Sequence, residues 1–108
     1  MTANRTPPML SADADIAETF RTLAERWRSE TGHLSIVQQK VLNRSYLEII
    51  GLGRPALPLL LRELRERPAH WFLALSSIAR ENPVRPGATF DEAVKDWVTW
   101  GHTQGLID

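Results

Sequence analysis

The sequence contains no cysteine. Disulfide bridges and metal sites built on thiolates are therefore excluded, and nothing in the sequence marks a redox compartment. No apolar run approaches the roughly 20 residues that a membrane-spanning helix needs. The first ten residues also lack the apolar segment of a secretory signal. The sequence thus predicts a cytoplasmic protein that does not associate with a membrane.

An excess of charge of either sign is also missing, since 13 basic side chains are matched by 13 acidic ones. This balance lies far from the strongly basic composition of nucleic-acid-binding domains. The charges are nevertheless placed unevenly: residues 44–85 hold seven arginines and four glutamates, a net of +3, and residues 86–108 carry −3. Arginine outnumbers lysine eleven to two. That excess suits bidentate binding of carboxylate or phosphate groups, although a codon bias is the simpler explanation.

Recognisable catalytic motifs are missing as well. His33, His70 and His102 have no partner one helical turn away that would share a metal ion with them. The pair Ser76-Ser77 lacks the flanking glycines of a nucleophile elbow. The carboxylates stand mostly at helix starts or beside arginines, where the helix dipole or pairing one turn apart explains them. We therefore expect no enzymatic activity, no catalytic residue, no metal and no cofactor.

What the sequence does contain is helical periodicity along most of its length, with no segment that alternates like a strand. The apolar patterns predict helices over 12–30, 35–42, 45–51, 55–67, 69–81 and from 90 onward, although a single helix over 35–51 is also compatible with them. The polar, proline-bearing residues 1–10 are typical of a disordered tail. We predict an all-α protein with a disordered tail at 1–10 and a single domain at 11–108, folded as a compact bundle of five to six helices.

Two local signals predict where helices begin. Ser45 with Glu48 matches a capping box, in which each side chain satisfies a backbone N–H of the first turn. Thr89 precedes the last apolar pattern, and the acidic pair Asp91-Glu92 falls in the first turn of that helix, where the helix dipole favours negative charge. These signals predict helix starts at residue 45 and at residue 90.

Two prolines stand within a leucine-rich stretch that has helical spacing. Pro55 fits the first position of a helix, where the missing N–H costs nothing and φ is already set. Pro58 follows one turn later, at the boundary where helical N–H groups begin to find partners. The prolines therefore mark the start of a helix that ends at Arg67-Pro68. Its predicted buried stripe consists of Leu57, Leu60, Leu61 and Leu64, and Arg62, Glu63, Arg65 and Glu66 are expected on its exposed surface.

The sequence holds four tryptophans, and tryptophan anchors many protein interfaces. Trp27, Trp71 and Trp97 each belong to an apolar stripe and are predicted to lie in the core. Trp100 widens the apolar face of the last helix beyond what a single packing contact needs. It is therefore our candidate for a tryptophan exposed to a partner.

The segment of residues 45–81 resembles a HEAT-type helical hairpin. The resemblance rests on "YLEIIGLGRPALPLLLREL", in which a short helix is followed by a glycine-proline turn and a leucine run, and on "WFLALSSIA" as the next helix. With "DWVTWG" near the end of the chain, it is also similar to a family of short bacterial proteins. The resemblance implies a central HEAT-like hairpin and a protein-binding surface, or less often a nucleic-acid-binding one.

The small size, the lack of catalytic motifs and the split charge favour a non-catalytic interaction protein. It would bind another protein through its surface, as an adaptor or as an antitoxin- or immunity-type partner. The candidate partner-binding residues are Arg54, Arg62, Arg65, Arg67 and Trp100. The alternative is weak nucleic-acid binding by the Arg54–Arg67 face, which Glu63 and Glu66 interrupt. A third hypothesis, supported by no motif, is a small-molecule or enzymatic pocket lined by tryptophan and Tyr46.

Overall fold

The computed structural model describes the backbone of residues 8–108 and the side chains from residue 14 onward. It confirms an all-α fold, and the described residues contain no strand. A 3₁₀ turn, Arg54–Ala56, precedes the fourth helix. The helices are α1 (Pro8–Thr31), α2 (Val37–Val41), α3 (Arg44–Gly51), α4 (Leu57–Glu66), α5 (Phe72–Ala79) and α6 (Phe90–Thr103).

Several helix boundaries differ from the sequence prediction. Helix α1 begins at Pro8, so residues 8–10 of the expected tail are helical, and residues 1–7 lie outside the described part of the chain. The prediction of two helices over residues 35–51, with a single helix as the alternative, is confirmed. Asn43 separates them, because its side-chain oxygen accepts the N–H of Ser45 at 2.8 Å and that of Tyr46 at 3.3 Å. The predicted cap at Ser45 is therefore wrong by two residues.

The two prolines lie where the sequence placed them, at the start of a helix. Pro55 belongs to the 3₁₀ turn, and Pro58 occupies the first turn of α4. Gly53 adopts a φ of 78°, which lets the chain turn sharply before the first proline. The predicted buried stripe of α4 is confirmed. It consists of four leucines that expose no surface, Leu57, Leu60, Leu61 and Leu64.

The helices close around one core. Helix α1 packs on α3, α4 packs on α6, and α5 packs on both α3 and α4. Gly101 allows the close approach of α6 to α4, because a Cβ atom at this position would lie 2.8 Å from Cδ1 of Leu61. The outer helices α1 and α6 thus cover the buried sides of the central ones. Whether residues 45–81 form a HEAT-like hairpin stays a prediction.

Tyr46 ties α3 to the start of α5 from inside the core. Its hydroxyl donates to the carbonyl oxygen of His70 at 2.9 Å and accepts the N–H of Ala74 at 3.0 Å. Its ring stacks on that of Trp71, with ring centres 5.5 Å apart. Burial raises the pKa of Tyr46 to about 12, because the phenolate would lose its hydration. The neutral hydroxyl is therefore a structural part of the core.

This burial predicts a loss of stability in alkaline solution. In the unfolded chain the tyrosine pKa is about 10, whereas in the folded protein the pKa is about 12. Tyr46 therefore keeps its proton to a higher pH in the folded state than in the unfolded state. The resulting stabilisation of the fold is fully present below pH 10 and is lost as the pH rises through 12. One pKa unit corresponds to about 1.4 kcal/mol, so we expect the free energy of unfolding to fall by roughly 2 kcal/mol at the upper end.

Urea unfolding between neutral and alkaline pH measures this loss, with Tyr46→Phe as the reference variant. The variant is expected to start less stable by about 1–3 kcal/mol, because the Ala74 N–H loses its acceptor, but to show a flatter pH dependence. Since Tyr46 is the single tyrosine of the chain, the ultraviolet absorbance of its phenolate reports its ionisation directly. Ionisation of the folded protein at the pKa of a free tyrosine would contradict the prediction.

Candidate functional site

The four arginines of the predicted face are all exposed, but the structure divides them into two pairs. Arg65 donates to the backbone oxygen of Asp108 at 2.7 Å. Arg67 forms an ion pair with Glu25 at 2.8 Å, which raises the pKa of Arg67 and lowers that of Glu25. These two arginines therefore hold parts of the fold together.

Arg54 and Arg62 form the second pair. Within the described part of the chain, neither makes a side-chain hydrogen bond or an ion pair. A guanidinium carries five donors in a planar fork that matches a carboxylate. Of the predicted face, Arg54 and Arg62 are thus the residues whose charge is available to a partner.

The prediction that Trp100 is exposed is wrong, since only 7% of its surface is accessible. Its ring packs edge-on against Trp97, with ring centres 5.2 Å apart. The broad apolar face of α6 meets a second surface that the sequence pattern did not show. The chain turns back after α6 at Gly105, where φ is 73°, and Ile107 packs beside Gly101. This return adds a packing surface beside Gly101 of α6.

A groove runs between α1 and the segment made of the 3₁₀ turn and α4, and we call it the α1–α4 groove. Its first part has a volume of about 380 Å³ and is lined by Ile16, Ala17, Pro55, Pro58, Leu59 and Arg62. Its second part, of about 160 Å³, shares Ala17, Leu59 and Arg62 and continues to Glu25 and Glu66. The groove therefore has an apolar floor at one end, and Arg62 lies where its two parts meet.

The second part of the groove is braced by an ion pair that sequence reasoning missed. Glu63 was expected on the surface, but its carboxylate accepts from Arg28 Nε at 3.1 Å and Nη2 at 2.7 Å. The same Nη2 atom donates to the backbone oxygen of Arg67 at 2.6 Å. These bonds join α1 to the end of α4 across 35 positions of the sequence. No local pattern signals such a pairing, so the groove itself was also not predictable.

The structure gives less support to the other hypotheses drawn from the sequence. Tyr46 exposes no surface and does not line the five best-defined cavities among the described residues. No cluster of three or more metal-ligating side chains occurs in the part of the chain that is described. In that same part, no helix has the length and apolar character needed to cross a bilayer.

The resemblance to HEAT-type hairpins gains no support from comparisons with known proteins. The chain matches no protein-family model, no curated protein sequence and no solved structure. A function for this protein therefore has to be argued from its own geometry, and the candidate site is the α1–α4 groove, with Arg62 in its lining and Arg54 next to Pro55 at one end.

Proposed function

We propose that this protein is a non-catalytic interaction module that binds an acidic, amphipathic helical segment of a partner protein in the α1–α4 groove. The observation that carries the proposal is the combination of an apolar floor with Arg54 and Arg62, whose charges are not used within the described fold. Helices that lay an apolar face into a groove are a recurring mode of peptide recognition.

The dimensions of the groove suit a short helix. Its α1 wall extends from Ile16 to Glu25, which is about 14 Å at 1.5 Å per residue. Two to three turns of a partner helix cover that distance. Ile16, Pro58 and Leu59 are half-buried in the free protein. They would lose their remaining contact with water against leucine-type side chains of the partner.

The charges favour an acidic partner. Arg62 lines both parts of the groove and would pair with a carboxylate of the partner. The exposed Arg54 precedes Pro55, which lines one end of the groove, so its charge would add to the attraction for an acidic partner. Binding of nucleic acid is less well supported. Arg65 and Arg67 are engaged within the fold, so only Arg54 and Arg62 of the predicted face remain for phosphates, too few for the several contacts on which nucleic-acid binding depends.

A direct test uses a labelled peptide of about 15 residues, long enough to form a helix when bound, with leucines on one face and glutamates beside them. At a physiological ionic strength of about 0.15 M, fluorescence anisotropy should show that it binds at least about tenfold tighter than the same peptide with lysines in place of the glutamates. Arg62→Glu should weaken binding of the acidic peptide by about tenfold, and the double change Arg54→Glu with Arg62→Glu by more.

Arg26→Glu is the matched control, because Arg26 is an exposed arginine of α1 that does not line the groove. It should leave the affinity for the acidic peptide unchanged. Short labelled DNA and RNA should bind no tighter than about 10⁻⁵ M, within the range of non-specific contacts. Sub-micromolar binding of nucleic acid that the double reversal abolishes would contradict the proposal and support the alternative function.

A further inference from the structure

A second cavity, distinct from the α1–α4 groove, lies where α1, α2, the segment of residues 68–70 and the start of α6 meet. Its volume is about 290 Å³, close to the lower end for sites that hold small molecules. We call it the basic cavity, because its lining includes three basic side chains and, among the described residues, no carboxylate. Those three side chains are Arg28, Lys40 and His70.

Each of the three basic side chains has an N–H donor with no partner among the described residues. Arg28 is fixed by bonds from Nε and Nη2 to Glu63 and from Nη2 to the Arg67 carbonyl, while Nη1 has no partner within the described residues. In the same part of the chain, neither the Lys40 ammonium nor the His70 ring makes a side-chain hydrogen bond or an ion pair. Unused donors around one concave surface are the arrangement that recognises an anion.

Much of the remaining lining is apolar. The His70 and Phe90 rings meet edge to face, with centres 5.1 Å apart. Trp27 is held in place by a hydrogen bond of 2.8 Å from its Nε1 to the backbone oxygen of Lys40, which also fixes α2 beside the cavity. Pro68 completes the apolar lining. An inorganic anion would leave these walls uncovered, whereas a ligand with an apolar body would pack against them.

We propose that the basic cavity binds a small organic carboxylate, with its charged group toward Lys40 and Arg28 and its apolar body against Trp27 and Phe90. This site is additional to the proposed partner groove, and the two share no lining residue. Each site can therefore be tested with its own ligand and its own variants.

The state of His70 provides an independent readout of binding. Burial lowers the pKa of His70, and the nearby charge of Lys40 lowers it further. A carboxylate in the basic cavity would offset the charge of Lys40 and stabilise the imidazolium. Binding should therefore raise the pKa of His70, an effect that a merely structural cavity would not show.

Benzoate is the probe for this proposal, with its neutral analogue benzamide and inorganic phosphate for comparison. Titrations followed by ¹H–¹⁵N NMR should give a Kd on the order of 1 mM for benzoate, as expected for a ligand of this size. The shifted amide signals should belong to residues around the cavity, and the pKa of His70 should rise at saturation. Benzamide and phosphate should each bind at least about tenfold more weakly.

Lys40→Gln should weaken benzoate binding by about tenfold, while Lys40→Arg, which keeps the charge, should retain most of the affinity. Lys95→Gln is the matched control, because it alters the only other lysine of the chain, which lies outside the cavity. Amide spectra of the variants show whether each one is folded. Equal binding of benzoate and benzamide, unchanged binding by Lys40→Gln, or benzoate-induced shifts away from the cavity would each overturn the proposal.

Discussion

Replacing Trp71 by alanine is expected to lower the free energy of unfolding by about 3–5 kcal/mol, the range measured for truncation of large buried aromatic residues. Trp71 exposes no surface and lies at the centre of an aromatic cluster. Its ring centre is 4.3 Å from that of Trp27, 5.5 Å from that of Tyr46 and 6.1 Å from that of Phe20. These neighbours come from α1 and α3, so one truncation opens a cavity where three elements meet.

Small proteins are stable by only about 5–15 kcal/mol, so Trp71→Ala should remove a large share of the total. Urea unfolding followed by far-ultraviolet circular dichroism measures the change. Trp71→Phe is the matched control. Its smaller ring keeps much of the aromatic contact, and it removes an indole N–H that is buried without a partner among the described residues, so its cost should be clearly lower. A fully folded Trp71→Ala variant with an unchanged melting temperature would place Trp71 outside the core.

The second large effect is expected from proline at position 61. Leu61 lies beyond the first turn of α4, so Leu61→Pro removes an intrahelical hydrogen bond and forces the ring against the preceding turn, at a cost of about 3 kcal/mol or more. The packing loss adds to this, because the fully buried Leu61 side chain lies against Gly101 of α6. We expect the variant to be largely unfolded.

Pro58→Ala is the comparison, since Pro58 lies in the first turn of the same helix. It should change the free energy of unfolding by less than about 1 kcal/mol, because little hydrogen bonding is at stake there. Leu61→Ala isolates the packing part of the Leu61→Pro loss, at about 2–5 kcal/mol. Equal losses for Pro58→Ala and Leu61→Pro in urea would show that the helix does not begin where the structure places it.

Several elements of the fold were predictable because their causes are local. The start of α4 follows from two prolines, which set φ where N–H groups have no partner. The start of α6 follows from the Thr89–Glu92 capping box, in which both reciprocal hydrogen bonds are present. The buried stripe of α4 follows from leucines at helical spacing. Each of these signals acts between residues no more than a few positions apart.

Two other local predictions were inaccurate. Asn43 rather than Ser45 caps α3. Helix α5 is shorter than predicted: it begins at Phe72, and Arg80 ends it in the left-handed conformation with a φ of 62°. Trp71 therefore lies in the core from a position just before the helix. The apolar spacing predicted correctly that Trp71 is buried, but predicted wrongly that it lies within the helix.

By itself, the sequence determined the all-α class, the order of the helices and the buried stripe of α4, because these depend on side chains within one or two turns of each other. Only the tertiary structure decided which charges are available. It engages Arg65 and Arg67, leaves Arg54 and Arg62 without a side-chain partner among the described residues, and pairs the partly buried Glu63 with Arg28. It also covers Trp100 and forms the two cavities, because the residues that meet there lie far apart along the chain and no short pattern records their pairing.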